Sequence, residues 1–103
     1  MNLTDLSKKK FYVQLSALPF VDKIILYGSR ARGDFQPRSD IDLAILCPDA
    51  SRQDWQTILT IIDEADTLLM IDCIQYDTLV PDNSLKKAID RDGIILYEKK
   101  IRK

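Results

Sequence analysis

Four short apolar runs constrain the fold of this 103-residue chain more than any other feature. Each run has the length of a strand and is bounded by glycine, proline or charged residues, which predicts four β-strands. The runs are VDKIILY (21–27), SDIDLAILC (39–47), LLMIDCIQY (68–76) and IILY (94–97). With helical patterns before and between them, the order α-β-loop-β-α-β-α-β predicts an α/β or α+β fold, a small mixed β-sheet with helices packed against it.

Three segments show apolar residues at helical spacing together with helix start or stop signals. Pro19 follows the end of the first segment, and Gly93 suits the end of the last. The second begins with a capping pattern. The helices are predicted over residues 5–18, from Ser51 or Asp54 to about residue 66, and from Asn83 or Ser84 to Arg91.

Length, charge and composition exclude several classes of protein. The length predicts a single domain over residues 1–103, and the net charge of −1 gives no overall attraction to nucleic acid or an anionic membrane. No apolar run is long enough to span a bilayer, so we expect a cytoplasmic protein. The absence of histidine excludes Ser-His-Asp and Cys-His mechanisms. Cys47 and Cys73 lie in apolar runs and are predicted to be reduced core thiols.

Two aspartates stand one residue apart at the start of the second predicted strand. Asp40 and Asp42 would point to the same side of a strand, because side chains alternate between its faces. Two carboxylates held that close raise each other's pKa or require a cation between them. Mg²⁺ is the natural ligand, since it prefers one or two carboxylates together with substrate phosphates. The alternative is a solvated strand start in which Ser39 and Asp40 are turn residues.

A phosphate-binding turn is predicted immediately upstream, in the stretch GSRARG. Gly28 and Gly33 permit positive φ angles and a close approach of backbone N–H groups to an anion. Ser29 adds a hydroxyl group, and Arg30 and Arg32 add fixed positive charge. A phosphate cradle beside a carboxylate pair suits a nucleoside triphosphate bound with Mg²⁺. The alternative for both arginines is ordinary surface charge.

Other phosphate and metal motifs do not match this stretch. The glycine spacing resembles a P-loop, but Asp34 and Phe35 stand where that motif requires Lys and Ser or Thr. The aspartate pair begins like an EF-hand loop, but Ile45 and Ser51 replace its turn glycine and closing glutamate. No GxGxxG occurs, so a dinucleotide-binding fold has no support.

Phosphoryl or nucleotidyl transfer calls for a third carboxylate, which completes a metal site and takes the proton of an attacking hydroxyl group. Asp72 is the candidate, because it interrupts an apolar run that could lie beside the second strand. The alternative is an aspartate at a sheet edge that pairs with Lys or Arg. Asp77 is the next candidate, although its position before a turn favours capping.

The stretch GSRARGDFQPRSDIDLAIL (28–46) resembles the signature of the DNA polymerase β-like nucleotidyltransferase superfamily, which joins Gly-Ser to a later Asp-x-Asp. The GSRARG form, the short chain and the later aspartate resemble its minimal nucleotidyltransferase branch, the MNT or MntA-like antitoxins. The resemblance implies a polymerase β-like palm fold with a site for two Mg²⁺ ions and for ATP as nucleotide donor. The residues implied are Asp40, Asp42 and Asp72 for the metal ions and catalysis, and Gly28, Ser29, Arg30 and Arg32 for the phosphates.

The resemblance also implies a partner. Members of this branch commonly occur with an all-helical HEPN ribonuclease toxin, and they silence it by transferring AMP from ATP to one of its tyrosines. At 103 residues we expect no second substrate-binding domain, so the acceptor should come from another chain. Homo- or hetero-oligomers are consistent with a one-layer sheet that leaves apolar surface uncovered.

Two other functions stay open from the sequence. The chain could be a binding module that neutralises a helical partner by occlusion, without turnover. It could also be the catalytic half of a small-molecule nucleotidyltransferase of the antibiotic-modifying type, with a substrate domain on a second polypeptide. No base-reading motif is evident, so the sequence does not select the nucleotide.

Overall fold

The structure of the protein is a computed structural model that describes residues 3–100, with side chains from residue 5 onward. Within that range the predicted order of helices and strands is confirmed. The elements are α1 (Leu3–Lys8), α2 (Lys10–Ser16), β1 (Lys23–Tyr27), α3 (Ser29–Arg32), β2 (Ile41–Leu46), α4 (Arg52–Asp63), β3 (Ile71–Gln75), a 3-10 helix (Tyr76–Thr78), α5 (Ser84–Asp92) and β4 (Ile94–Glu98).

The four strands form one mixed sheet in the order β3-β2-β1-β4. Strand β1 runs antiparallel to both β2 and β4, whereas β2 and β3 are parallel. A parallel pair requires a crossover connection, and α4 lies in the connection between β2 and β3. As a result, the end of β1 and the starts of β2 and β3 meet at one end of the sheet.

The main core lies on one face of the sheet and includes side chains of α1, α2 and α4. The apolar pattern of β1 and β2 produces this core, because every second side chain points to that face. The opposite face carries a smaller cluster of Tyr27, Ala44 and Ile89, in which Ile89 comes from α5. The fully buried side chains of the main core include Phe11, Leu15, Ile24, Leu26, Ile41, Leu43, Ile45 and Ile58.

The caps predicted for the two longer helices are confirmed. At the start of α4, the Ser51 hydroxyl group accepts the N–H of Asp54 at 3.1 Å, and the Asp54 carboxylate accepts the N–H of Ser51 at 2.9 Å. This reciprocal pair is a capping box. Asn83 caps α5 by accepting two backbone N–H groups of its first turn. Gly93 ends α5 as predicted.

The prediction of one continuous helix over residues 5–18 is wrong. The helix breaks at Lys9, whose φ of −69° and ψ of 142° are those of extended backbone, and α2 begins at the next residue. Neither glycine nor proline stands at the break, so the sequence carries no signal for it. The strands are also shorter than predicted, since β1, β2 and β3 each lose residues at their ends.

Both cysteines are free thiols, as the sequence predicts. Burial raises the pKa of Cys47 and the pKa of Cys73 to about 12. Both therefore stay protonated at neutral pH and are poor nucleophiles. In the part of the chain that the structure describes, no helix combines the length and the apolar character needed to cross a membrane.

Candidate active site

Two of the predicted acidic residues face the same way on neighbouring strands. Asp42 lies two residues before Ala44 in β2, and Asp72 lies two residues before Ile74 in β3. Because side chains alternate along a strand, both carboxylates share the sheet face of Ala44 and Ile74, which pack in the smaller cluster with Ile89. Asp42 and Asp72 are also Cα partners in the parallel register. The prediction that the strand of Asp72 lies beside β2 is therefore confirmed.

The three predicted carboxylates form a cluster of negative charge. Burial raises the pKa of Asp42, and the charges of Asp72 and Asp40 raise it further. The guanidinium of Arg32 acts in the opposite direction. Asp40 and Asp72 are exposed, whereas Asp42 is half-buried. The raised pKa of Asp42 means that its negative charge is poorly compensated, so a cation at this place would stabilise the ionised site.

Tyr27 lies next to the carboxylates and was not selected from the sequence. It is the last residue of β1, it is 8% exposed, and it is the cross-strand partner of Asp42. Burial raises the pKa of Tyr27 to about 12, and the charges of Asp72 and Asp42 contribute. The phenol is thus neutral at physiological pH.

Gly28 brings the turn after β1 against Asp42. It has a φ of 74° and a ψ of −156°, and it precedes the first residue of α3. A Cβ atom at this position would overlap the carboxylate of Asp42. Only glycine combines this backbone conformation with such a close approach. Ser29, which begins α3, is therefore held next to the carboxylate cluster, as the sequence predicts for a phosphate-binding turn.

The two arginines of α3 have different surroundings. The side chain of Arg32 is 45% exposed, lies 3.2 Å from the carboxylate of Asp34, and is close enough to Asp42 to lower its pKa. Arg30 is 8% exposed and donates to backbone carbonyl groups of the loop that follows α3. These contacts favour Arg32, and not Arg30, as the arginine that can reach a bound phosphate.

Asp77 has a structural role, but through a long-range hydrogen bond and not through the capping that its position before a turn predicted. Its carboxylate accepts the backbone N–H of Cys47 at 2.7 Å. Cys47 follows β2 and Asp77 follows β3, so this hydrogen bond ties the two parallel strands together at their carboxyl ends. Asp72, near the start of β3, lies at the other end of that strand. Asp77 is therefore remote from the carboxylate cluster.

An open cleft of about 520 Å³ lies beside the carboxylate cluster. Asp40 and Arg38 line it together with Leu68, Leu69 and Met70, which precede β3. Leu68 and Met70 are exposed. The cleft therefore gives a second molecule a route to Asp40 from the side of β3.

The donor set of the cluster fits a hard divalent cation. Among the described residues, no group of three or more His, Cys, Asp or Glu side chains is already arranged as a metal site. The three carboxylates supply oxygen donors only, as Mg²⁺ prefers. Asp40 and Asp72 are exposed and can change rotamer, and the raised pKa of Asp42 indicates uncompensated charge. The fit to Mg²⁺ therefore rests on the chemistry of these oxygen donors.

A family model decides the affiliation of the chain. The model of the family described as Polymerase beta, Nucleotidyltransferase matches residues 9–102. The chain belongs to this family. It is a nucleotidyltransferase, and the superfamily expected from the GSRARG and Asp-x-Asp stretch is confirmed. No curated protein matches the chain.

Solved structures with the same fold include toxin–antitoxin complexes. One, described as a toxin-antitoxin with AMP-PNP, has a TM-score of 0.62 and 20% identity, over 97% of this chain and 76% of that chain. A second, the tri-AMPylated Shewanella oneidensis HEPN toxin in complex with MNT antitoxin, has a TM-score of 0.55 and 19% identity, over 95% of this chain and 71% of that one. A Sulfolobus solfataricus protein described as a nucleotidyltransferase candidate has a TM-score of 0.57 and 19% identity, over 94% and 80%. These similarities confirm the predicted polymerase β-like fold.

Proposed function

We propose that this nucleotidyltransferase transfers AMP from ATP, with Mg²⁺, to a hydroxyl group of a HEPN-type partner and thereby acts as its antitoxin. The observation that carries the proposal is the in-register pairing of Asp42 and Asp72 beside the close turn at Gly28. The nucleotide and the acceptor are proposed from similar structures, one with AMP-PNP and one with a tri-AMPylated HEPN toxin. A tyrosine of the partner is the proposed acceptor.

Asp40, Asp42 and Asp72 are the residues that would hold two Mg²⁺ ions. Bound there, Mg²⁺ would neutralise the clustered carboxylates and supply positive charge where negative charge develops on the transferred phosphate. Burial and the charges of Asp72 and Asp40 raise the pKa of Asp42, and a cation bound there would offset all three effects.

The phosphates are proposed to bind at the turn after β1. Backbone N–H groups at the start of a helix have no partner within the helix, and Gly28 allows an anion to approach them. The hydroxyl group of Ser29 and the guanidinium of Arg32 would add two further donors. Arg32 would exchange its exposed partner Asp34 for a phosphate.

Asp72 is proposed to act on the acceptor. The hydroxyl oxygen forms a bond to the α-phosphorus of ATP, the bond to pyrophosphate breaks, and the proton of the hydroxyl group passes to the Asp72 carboxylate. In-line displacement places the attacking and leaving oxygens on opposite sides of the phosphorus. The leaving pyrophosphate is proposed to bind at the turn after β1. The acceptor would then approach from the opposite side, which is the side of β3, where the cleft opens.

The test is a reconstituted transfer reaction. The chain is mixed with a HEPN partner, ATP and Mg²⁺, and the intact partner is weighed by mass spectrometry. We expect the wild-type chain to add AMP and Asp42→Asn to lower the rate by about a hundredfold or more. Asp49→Asn is the matched control, because it is the same substitution at an exposed aspartate in a turn beyond the other end of β2. It should retain the wild-type rate.

The alternatives give different results in the same experiment. If the wild-type chain inhibits the partner without changing its mass, the protein acts by occlusion, and the catalytic proposal is wrong. If Asp42→Asn transfers AMP at the wild-type rate, the assignment of the metal-binding carboxylates is wrong.

A further inference from the structure

Arg30 is the buried charged side chain of the described residues, at 8% exposure. Its Nε and Nη2 atoms donate to the carbonyl oxygen of Ser39 at 3.2 and 2.9 Å. Nη2 also donates to the carbonyl oxygen of Pro37 at 3.2 Å. The guanidinium lies 4.8 Å from the ring centroid of Phe35. Three residues of the loop after α3 therefore contact this side chain.

Burying a charge is costly unless hydrogen bonds or an opposite charge compensate for it. None of the ion pairs among the described side chains involves Arg30. The carbonyl dipoles and the aromatic face of Phe35 provide the compensation instead. The planar guanidinium can bind the Ser39 oxygen through two N–H groups at once, which a lysine ammonium cannot reproduce. The loop conformation and the position of Arg30 are thus fixed together.

This contact joins the two halves of the candidate site. Arg30 follows Ser29 in the phosphate-side turn, and the Ser39 carbonyl belongs to the peptide group that leads into Asp40. We propose that Arg30 is a positioning residue that sets the separation between the turn at Ser29 and the carboxylates of Asp40 and Asp42. The inference rests on the proposed function, since it assigns Arg30 to the assembly of that site.

The loop has a second set of hydrogen bonds that does not involve Arg30. The N–H of Gln36 donates to the Ser39 hydroxyl group at 2.8 Å, and the N–H of Ser39 donates to the Gln36 carbonyl at 3.0 Å. A change at Arg30 should therefore leave the turn at residues 36–39 closed and release its link to α3. The expected defect is a misplaced carboxylate pair in a folded protein.

The test separates placement of the metal ligands from binding of phosphate. AMP-PNP is titrated into wild-type chain and into Arg30→Lys by calorimetry, once with Mg²⁺ and once with EDTA. In Arg30→Lys we expect the gain in affinity that Mg²⁺ produces to fall by about tenfold or more, the size typical of groups that orient metal ligands. Affinity in EDTA should stay within about twofold of wild type. Arg52→Lys, the same exchange at the exposed start of α4, should match wild type in both titrations.

Hydrogen exchange gives a readout that does not depend on nucleotide. The N–H of Ile41 donates to the carbonyl of Met70 at 2.8 Å and reports on how firmly the start of β2 is held. We expect this amide to exchange about tenfold faster in Arg30→Lys than in wild type or Arg52→Lys. Phe35→Leu removes the aromatic ring from a 38%-exposed position. It should lower the Mg²⁺-dependent gain in AMP-PNP affinity and speed the exchange of the Ile41 amide, each by a smaller factor than Arg30→Lys does. It replaces Arg30→Lys if that variant does not fold.

The possible failures can be told apart. Folded Arg30→Lys and Phe35→Leu with the full Mg²⁺ gain would overturn the inference. An equal loss of affinity in EDTA and in Mg²⁺ would also overturn it, because Arg30 would then contact the phosphates, as the sequence alone suggested. If the wild-type chain binds no AMP-PNP under either condition, the proposed function itself is wrong, and the inference is withdrawn with it.

Discussion

Gly28→Ala is the substitution for which the structure gives the sharpest expectation. Gly28 has a φ of 74° and a ψ of −156°, a region that is essentially restricted to glycine. A Cβ atom would in addition overlap the carboxylate of Asp42. Alanine therefore introduces backbone strain and displaces a proposed metal ligand at the same time.

The two effects have different magnitudes. Backbone strain of this kind costs about 1–3 kcal/mol of the free energy of unfolding. For a domain of this size, each kcal/mol lowers Tm by about 4–8 °C. The displacement of Asp42 acts on the reaction, and a misplacement of about 1 Å in an active site lowers the rate by about a hundredfold. The loss of activity should therefore exceed what the loss of stability explains.

Gly33→Ala is the matched control. Gly33 ends α3 with a φ of 87° and a ψ of 5°, so alanine is strained there as well. A Cβ atom at this position would meet no other atom within 4 Å. The left-handed conformation costs a non-glycine residue about 1–2 kcal/mol, so the loss of stability should be similar to that of Gly28→Ala. The distance between the turn and Asp42 should not change.

The assay combines thermal unfolding with AMP transfer measured well below the Tm of each variant. We expect both variants to lose stability and only Gly28→Ala to lose about a hundredfold in rate. Wild-type activity in Gly28→Ala would refute the reasoning, because the turn would then not need its contact with Asp42. An equal loss of activity in Gly33→Ala would show that general destabilisation, and not the contact, is responsible.

Two further expectations concern stability. The pKa of Asp42 is raised in the folded state, so its contribution to stability is greatest below the ordinary pKa of aspartate and is lost as the pH rises toward the raised value. Without divalent cations, Asp42→Asn should therefore have a higher Tm than wild type at neutral pH, and the difference should vanish in acid. Mg²⁺ should raise the Tm of wild type more than that of Asp42→Asn. A lower Tm for Asp42→Asn than for wild type at neutral pH without Mg²⁺ would contradict the expected effect of the Asp42 charge. Ser51→Ala removes half of the α4 capping box and should lower stability by about 1 kcal/mol in denaturant unfolding, with unchanged transfer activity.

The sequence predicts the elements well because their signals are local. Ser51, Asn83 and Gly93 mark helix ends through contacts within one turn of the chain, and all three positions are confirmed. The break at Lys9 was missed because nothing in the local sequence produces it. At the break, the Lys9 ammonium donates to the carbonyl of Asp66, and the Asp66 carboxylate accepts the N–H of Lys10. These contacts join the start of α2 to the segment that follows α4, so no pattern within residues 5–18 predicts them.

Within the candidate site, the sequence predicts which residues take part more easily than it predicts where their side chains point. The motif selected both arginines of α3, but helical neighbours two residues apart point to different sides. Only the fold shows that Arg30 donates to the carbonyl of Ser39, and that Arg32 pairs with Asp34 and lowers the pKa of Asp42 by its charge. Tyr27 was missed for a related reason, since an aromatic residue ending an apolar strand gives no sign of which charges it will contact.

The topology explains why the sequence predicts that the Gly-Ser turn lies near the Asp-x-Asp pair but does not fix the position of Asp72. In an antiparallel pair, the residue that follows the first strand lies near the residue that begins the second, so the pairing of Tyr27 with Asp42 brings Gly28 into the neighbourhood of Asp42. Strand pairing therefore brings a Gly-Ser turn and a later Asp-x-Asp near each other, and the loop contacts set their final separation. The loop between them is far longer than a hairpin needs, so it requires its own fixation, which Arg30 supplies. Asp72 reaches Asp42 through the parallel crossover of α4, and a crossover strand can pair at either edge of a sheet. Its register with β2 depends on the packing of the whole domain, which a motif does not encode.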